Sequence, residues 1–436
     1  MLEYTKLMSS LPRVPPSSVD YSKLLPLGVK GVSKARKFQP NNGSTFTSTN
    51  PVIRIPLNST GFLDTQHSYL SFKCTFTKSD GNNSAIDGGG QGVIRQLRLE
   101  GSDGSELERI DNYNVIWNVM SQCQVGADHS VTLMNAMEAV PTTIGNNASV
   151  QNANGTSRGY SVKLMSALLN NPKMVPLGWV AGGGLVLELT LDSDQNAIWN
   201  DAGTQGTYSI SEVNYIGQVV EMEEGFNQSF RAMLASSGGI QWAGSTFRGH
   251  NYSFTSAANG SAVIPVSERA KSIKALYTIL RLNGGANDQF AATKYTLSHR
   301  TFNDTISYQV KIGSNVYPSQ PITGSSTDVS QYVAELVKSF SALGDVRQGS
   351  ALTLDNFKEN NPNNFGSAVF ALDLETYPQS TDILESGINS SDLALPINVL
   401  MSFGASANTE NMQVNTYALV DSIFTLDSMG MLTVSI

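Results

Sequence analysis

Apolar and polar residues alternate along most of the chain from about residue 46 onwards. The run SYLSFKCTFTK (Ser68–Lys78) keeps one side apolar, through Leu70, Phe72, Cys74 and Phe76. The runs PVIRIPL (Pro51–Leu57) and GLVLELTLDS (Gly184–Ser193) alternate in the same way. A period of two indicates β-strands with one buried face, so the pattern predicts a chain built mainly of strands.

Two segments break this alternation and have helical spacing instead. In Asp111–Gln124 the apolar positions are Tyr113, Ile116, Trp117, Met120 and Cys123. We expect Asp111 to cap the start of this helix. In Asp328–Gly344 an apolar stripe runs from Val329 to Leu343. There Asp328 is the expected start and Gly344 the expected end.

The same plan of strands, one helix, a long loop and more strands occurs in both halves of the chain. Duplication of a β unit of about two hundred residues explains this. We therefore predict an all-β fold of two consecutive eight-stranded antiparallel jelly rolls, each with one short helix. The predicted boundaries are an arm over residues 1–45, a first jelly roll over 46–225 and a second over 226–436. A multi-domain fibre or lectin-like protein has similar strands, but the matching helices favour duplication.

The composition indicates that much of the protein's surface is covered. Of the 436 residues only 15% are charged, and 38 are glycines. Charge is depleted at the centres of protein–protein interfaces, although a sparingly charged secreted β protein is the alternative. The first residues, MLEYTKLMSSLPRVPP, contain no apolar stretch typical of a signal peptide. No apolar run approaches the roughly 18 residues of a membrane span.

The arm differs in charge from the rest of the chain. Residues 1–45 hold seven basic and two acidic residues, a net charge of +5, whereas the whole chain carries −8. The remainder must therefore carry −13. Four of the cations cluster in VKGVSKARKFQP, namely Lys30, Lys34, Arg36 and Lys37. Such a cluster predicts contact with nucleic acid or a membrane, or else a solvated arm that latches neighbouring subunits.

No group of residues has a spacing typical of catalysis or metal binding. The four histidines, His67, His129, His250 and His299, lie far apart in the sequence. GTSRG (Gly155–Gly159) matches the nucleophile motif around Ser157, but a polar loop precedes it where a strand is needed. DSDQNA (Asp192–Ala197) begins like a calcium loop but has alanine where the turn needs glycine. We predict no catalytic residue, no metal site and no cofactor.

Two smaller features have plain structural interpretations. Glu221, Glu223 and Glu224 could bind an ion, although a solvated strand end is the better interpretation. Cys74 and Cys123 are too few for a disulfide framework and are expected to be buried free thiols.

The segment GYSVKLMSALLNNPKMVPLGWVAGGGLVLELTLDS (Gly159–Ser193) resembles the late part of the first barrel in double jelly-roll major capsid proteins. It has a Leu-rich stretch, then a Pro-Leu pair, then a Gly-rich turn into a strand. YSISEVNYIGQVVEME (Tyr208–Glu223) resembles the strand that closes that barrel. IPVSERAKSIKALYTILR (Ile264–Arg281), NVYPSQPI (Asn315–Ile322) and ALDLETYPQSTDILESGINSSD (Ala371–Asp392) resemble parts of the second barrel. The likeness is to capsid proteins of small tailless DNA viruses of the polinton-like and virophage-related kind.

This resemblance implies a non-enzymatic major capsid protein of a double-stranded DNA virus, made in the host cytoplasm and located in the virion. Three copies would form a pseudo-hexameric capsomer that tiles an icosahedral shell beside neighbouring capsomers, penton proteins and minor capsid proteins. The arm would lie under the shell, where Lys30, Lys34, Arg36 and Lys37 would face the genome or an internal membrane. Two alternatives stay open. A carbohydrate-binding β-sandwich would expose aromatics such as Trp179 or Trp199, and a hydrolase would depend on Ser157.

Overall fold

The computed structural model describes residues 28–101, 103–124, 130–141, 150–200, 205–283, 297, 300–340, 352, 357–358, 366–376, 385–392 and 395–436. Antiparallel strands dominate these residues, as the alternation predicts. None of the helices among them is long and apolar enough to cross a membrane.

The strands of the first half form what we call the first unit. They are β1 Gly31–Phe38, β2 Thr45–Thr47, β3 Val52–Leu57, β4 Phe62–Thr77, β5 Ser84–Ile86, β6 Ile94–Gly101, β7 Glu106–Asp111, β8 Ser157–Val162, β9 Leu185–Leu191, β10 Ile198–Asn200 and β11 Thr207–Met222. One sheet has the order β1-β11-β4-β8, with β2 also on β11, and a second has the order β3-β9-β6-β7. The short strands β5 and β10 pair with each other.

The strands of the second half form the second unit. They are β12 Gly239–Thr255, β13 Ser261–Val266, β14 Ile273–Leu282, β15 Thr305–Ile312, β16 Asn315–Thr323, β17 Phe370–Asp373, β18 Ile397–Phe403, β19 Asn411–Asp427 and β20 Leu432–Ser435. They form the sheets β12-β19-β14-β17, with β20 on β19, and β13-β18-β15-β16.

The two units share one topology. When the eight main strands of each unit are numbered in chain order, both units have one sheet ordered 1-8-3-6 and another ordered 2-7-4-5. In the first unit these eight are β1, β3, β4, β6, β7, β8, β9 and β11, and in the second they are β12 to β19. This is the jelly-roll strand order. The fold is therefore a double jelly roll, and the predicted fold class is confirmed.

Five α-helices are described. They are α1 Tyr113–Cys123, α2 Asn135–Glu138, α3 Asp194–Ala197, α4 Glu224–Ser237 and α5 Ser330–Lys338. A π-helical turn, Ser130–Met134, precedes α2, and 3₁₀ turns occupy Gly90–Val93, Leu177–Trp179 and Ala181–Gly183. Both α1 and α5 lie between the fifth and sixth main strands of their units, so the predicted matching helices are confirmed. The predicted domain boundary at residues 225 and 226 falls inside α4 and remains an interpretation.

The helix ends differ from the predictions. Asp111 is the last residue of β7, and Asn112, with a left-handed φ of 47°, stands at the start of α1. Asp328 lies one residue before the start of α5, but its Oδ1 accepts a hydrogen bond from the Ser330 backbone N–H at 3.1 Å. Gly344, the predicted end, lies outside the described residues.

Each unit has its own apolar core between its two sheets. β9 alternates strictly between buried and half-buried residues, with Leu185, Leu187, Leu189 and Leu191 buried. In the second unit, Tyr308 of β15 and Phe370 of β17 stack across the sandwich, with ring centroids 5.7 Å apart. Cys74 and Cys123 are both buried and free, as predicted.

Candidate assembly surfaces

The basic cluster lies on an edge strand rather than in a free arm. Residues 31–38 form β1, which pairs with the end of β11 from Gly31 opposite Met222 to Phe38 opposite Tyr215. Seven of its eight residues are exposed, and only Phe38 is buried. The prediction that residues 1–45 form an arm without strands is therefore corrected here. The sequence concealed the strand because a strand that overhangs its core has no apolar alternation.

β1 brings the basic cluster beside the acidic one. Lys34 Nζ lies 3.0 Å from Glu221 Oε2, and both side chains are largely exposed. The Glu223 backbone N–H donates to the Lys30 carbonyl at 3.1 Å, and Glu224 follows as the first residue of α4. The guanidinium of Arg36 lies 5.3 Å from the centre of the Phe38 ring. Part of the positive charge is thus neutralised locally, and lysines on an exposed edge strand also oppose unwanted strand pairing.

The seam between the two units is the largest polar contact surface within the chain. Its centre is Glu108 of β7, whose exposed fraction is 1%. Glu108 Oε1 accepts hydrogen bonds from the Ala167 backbone N–H at 2.7 Å and from the Thr246 hydroxyl of β12 at 2.6 Å. Its Oε2 accepts from the Ser166 hydroxyl and the Leu168 backbone N–H. Burial raises the pKa of Glu108, and these four donors oppose that rise.

Backbones approach closely along the same seam. A Cβ on Gly249 of β12 would lie 2.8 Å from the Asp111 carbonyl oxygen, which is too short for a real contact. Glycine at this position therefore allows β12 to pack against the end of β7. The Tyr417 hydroxyl donates to the Asn112 carbonyl at 2.9 Å.

Helix α1 is enclosed by both units. All eleven of its residues are buried, including polar ones. Arg300 of the second unit is fully buried and donates from Nη1 to Asn118 Oδ1 at 3.0 Å, from Nη2 to Gln122 Oε1, and from Nη2 to the Ser367 carbonyl at 3.1 Å. Burial lowers the pKa of Arg300 to about 10, so the guanidinium stays charged at neutral pH. Sequence reasoning did not identify Glu108 or Arg300. Asn118 and Gln122 on a helix with no exposed face were the available signal.

A polar groove of about 450 Å³ opens at the rim of the seam, lined by Arg95, Gln96, Arg109, Asp111, Asn112, Thr190, Gly249 and Asn251. Within the described ranges, no three His, Cys, Asp or Glu residues are close enough to hold a metal ion. His67 lies 2.7 Å from Asp64 with its side chain 76% exposed, and His250 lies 2.8 Å from Glu268. His129 and His299 lie outside the described residues.

The other candidate motifs have structural roles. Ser157 is the exposed first residue of β8 and does not sit on a strand-to-helix turn. Asp192 receives hydrogen bonds from Asn114 Nδ2 at 2.7 Å and from the Ser193 backbone N–H at 2.8 Å, and Ser193 caps α3. These contacts are those of a strand-end turn and differ from those of a calcium loop.

The two tryptophans expected at a glycan site are not surface platforms. Trp199 is 7% exposed. Trp179 packs against Phe62 and Phe230, with ring centroids 4.6 and 4.9 Å apart.

Comparison with known proteins gives matches at the level of fold. No protein-family model and no curated protein matches the sequence. The Faustovirus major capsid protein matches with a TM-score of 0.63 and 8% identity, over 96% of this chain and 93% of that one. The PBCV-1 virus capsid model matches at 0.62 and 12%, over 95% and 99%. The Sputnik virophage structure matches at 0.60 and 14%, over 98% and 93%.

This chain has the double jelly-roll fold of these capsid proteins. The likeness covers both units and the seam between them, because nearly the whole length of each chain is matched. At such low identity the shared property is the fold, and individual residues are not transferred. The residues of the double jelly roll that matter for assembly must therefore be found from this chain's own surfaces.

Proposed function

We propose that this chain is the non-enzymatic major capsid protein of an icosahedral virus, located in the virion. The observation that carries the proposal is the pair of units with identical strand order, packed side by side, which matches capsid proteins over 95% or more of this chain. Three copies form a ring of six jelly rolls, and such rings tile a shell together with other capsid components.

The low charge of the chain supports this function. A shell protein has neighbours on most of its flanks, and the centres of such contacts are poor in charge. The buried seam shows how two units of this kind join through hydrogen bonds and close backbone approach. The same chemistry would join units of different copies.

The test is the mass of the purified protein by light scattering, followed by electron microscopy of the same sample. We expect three times 46.8 kDa and particles with a hexagonal outline. A monomer that stays monomeric at high protein concentration and never forms shells or sheets would contradict the proposal. A glycan screen of that monomer would then test the carbohydrate-binding alternative.

We also propose that Lys30, Lys34, Arg36 and Lys37 face the particle interior and contact phosphate groups there. All four side chains are exposed, and Lys34 is the one that pairs with Glu221. Because the chain as a whole is acidic, this strand is a local exception in charge. Each copy would bind weakly, and many copies per shell would act together.

The phosphates could belong to the genome or to lipid head groups, and the experiment separates the two. A variant with all four residues changed to Gln is compared with a control in which Lys73, Lys173, Lys271 and Lys311 are changed to Gln. Binding to a DNA duplex and to anionic lipid vesicles is measured at low and high salt. We expect only the first variant to lose binding to one of them. Equal behaviour of both variants would contradict the proposal.

A further inference from the structure

Equivalent sheets of the two units differ in what covers them. In the second unit, the outer face of the sheet β12-β19-β14-β17 lies against the first unit. Arg281, Asn415 and Tyr417 on this face are each 3% exposed or less. The Tyr417 hydroxyl reaches the Asn112 carbonyl of the first unit at 2.9 Å, and Asn251 on the same sheet receives a hydrogen bond from the Asn112 side chain at 3.0 Å.

In the first unit, the equivalent face belongs to the sheet β1-β11-β4-β8 and is uncovered. Tyr69, Ser71 and Thr75 of β4 are half-buried there, and Lys73 is exposed. Their neighbours in the strand, such as Leu70 and Phe72, point to the core. This face is therefore the outer one.

The uncovered face is nevertheless built like a contact surface. Ser71 lies opposite Ser161 of β8 and Asn214 of β11, so its centre consists of small uncharged residues. The charge of Lys73 is matched by Glu212 at 2.6 Å. A flat sheet face of small, neutral side chains allows another backbone or helix to approach closely. We call it the receiving face.

The two equivalent helices show the complementary difference. All eleven residues of α1 are buried, because the second unit covers the side that the first unit leaves open. In α5 only Tyr332 and Leu336 are buried. Ala334 lies two residues from each of them, on the opposite side of the helix, and is half-buried. One copy of the chain therefore has an uncovered helix side and an uncovered receiving face.

We propose that the open side of α5 packs on the receiving face of a neighbouring copy, and so repeats between copies the contact that α1 makes within the chain. The inference rests on the proposed trimer and names its contact surfaces. A head-to-tail contact of this kind closes when the rotation completes a ring. With three copies, contacts within chains and contacts between chains alternate around six units, and no receiving face is left open.

A disulfide test addresses this contact directly. The double variant Ala334→Cys with Ser71→Cys joins the middle of α5 to the middle of the receiving face, and Ala334→Cys with Ser161→Cys shifts the second site by one strand. The natural thiols Cys74 and Cys123 are buried and do not take part. After oxidation, we expect at least one pair to give covalent dimers and trimers on a denaturing gel, and no larger species.

The matched control is Ala334→Cys with Ser261→Cys, because Ser261 is an exposed residue of the edge strand β13, away from the receiving face. It should give single chains only. Crosslinking of the control to the same extent, or failure of both test pairs in a wild-type trimer, would overturn the inference and leave the trimer standing.

A substitution test gives a second measurement. Ser71→Arg places a long cation on the receiving face and should lower the mass in solution from three times 46.8 kDa to 46.8 kDa, whereas Ser261→Arg should leave it unchanged. Circular dichroism establishes that both variants are folded. A wild-type protein that is not oligomeric would instead refute the proposed function. A Ser71→Arg protein that remains a trimer would refute only the contact.

Discussion

Replacing Glu108 by Gln tests whether the seam between the units depends on a buried carboxylate. The Glu108 carboxylate accepts four hydrogen bonds, two at each oxygen, and one donor, Thr246, comes from the other unit. Gln keeps the shape but has one oxygen, so two donors would face an NH₂ group. A buried donor left without a partner costs about 1–3 kcal/mol, which gives about 2–6 kcal/mol for two.

The neutral amide also recovers something. Burial raises the pKa of Glu108, which means that the charged form is poorly solvated in the folded protein, and an amide avoids that cost. We therefore expect the lower part of the range, a loss of about 2–3 kcal/mol in the free energy of unfolding. The assay is urea denaturation at pH 7, followed by circular dichroism. Glu224→Gln on the exposed first turn of α4 is the control and should cost less than about 1 kcal/mol.

A double-mutant cycle with Thr246→Val locates the loss at the seam. If the Thr246 hydroxyl stabilises the carboxylate across the units, the two changes together should cost less than the sum of their separate effects. Wild-type stability of Glu108→Gln, or a gain, would refute the reasoning. It would mean that the desolvation of this carboxylate outweighs its four hydrogen bonds.

Three further predictions concern other buried groups. Burial raises the pKa of Glu138 to about 7 from 4.5, so the folded protein holds this proton more firmly than the unfolded chain does. Its stabilising effect is complete below pH 4.5 and is lost as the pH rises to 7. Glu138→Gln should remove about 3 kcal/mol of that pH dependence, measured by urea denaturation between pH 4.5 and 8, and an unchanged profile would contradict it. Cys74 and Cys123 should react with a thiol reagent only after unfolding, because both are buried and burial raises the pKa of Cys123 to about 12; rapid labelling of the native protein would be the contrary result. Phe230→Ala should cost about 2–4 kcal/mol and shift the fluorescence of Trp179 to the red, because Phe230 shields that indole; an unchanged spectrum would show that water already reaches it.

The sequence was sufficient for the fold because each jelly roll has one buried side per strand. Alternation in β4 and β9 predicts their faces, and a change of period predicts α1 and α5 at matching places. The prediction failed where a strand has no core beneath it. β1 was interpreted as part of an arm because seven of its eight residues are exposed, and its pairing with β11 depends on backbone hydrogen bonds that no side-chain pattern records.

The seam was not predictable for a different reason. Glu108 and Thr246 are 138 positions apart, and Arg300 and Asn118 are 182 apart, so neither pair leaves a local pattern. Asp111 was expected to cap α1 because it precedes the helical spacing, but the chain uses Asp111 to complete β7. The left-handed Asn112 then makes the turn from strand to helix, and its carbonyl serves the seam through Tyr417. One residue thus ends a strand because a partner from the other unit fixes the next.

The polar nature of the seam has a consequence for assembly. Apolar contact is not directional, so an apolar seam would hold two units together while leaving their relative angle poorly defined. Hydrogen bonds to Glu108 and Arg300 are satisfied in one arrangement only, and leaving such buried groups unpaired is costly. In a ring of six units any error in the angle between neighbours accumulates, and the ring closes only if each contact has the correct angle. The buried polar groups inside one chain therefore set the geometry that the contact between α5 and the receiving face must reproduce between chains.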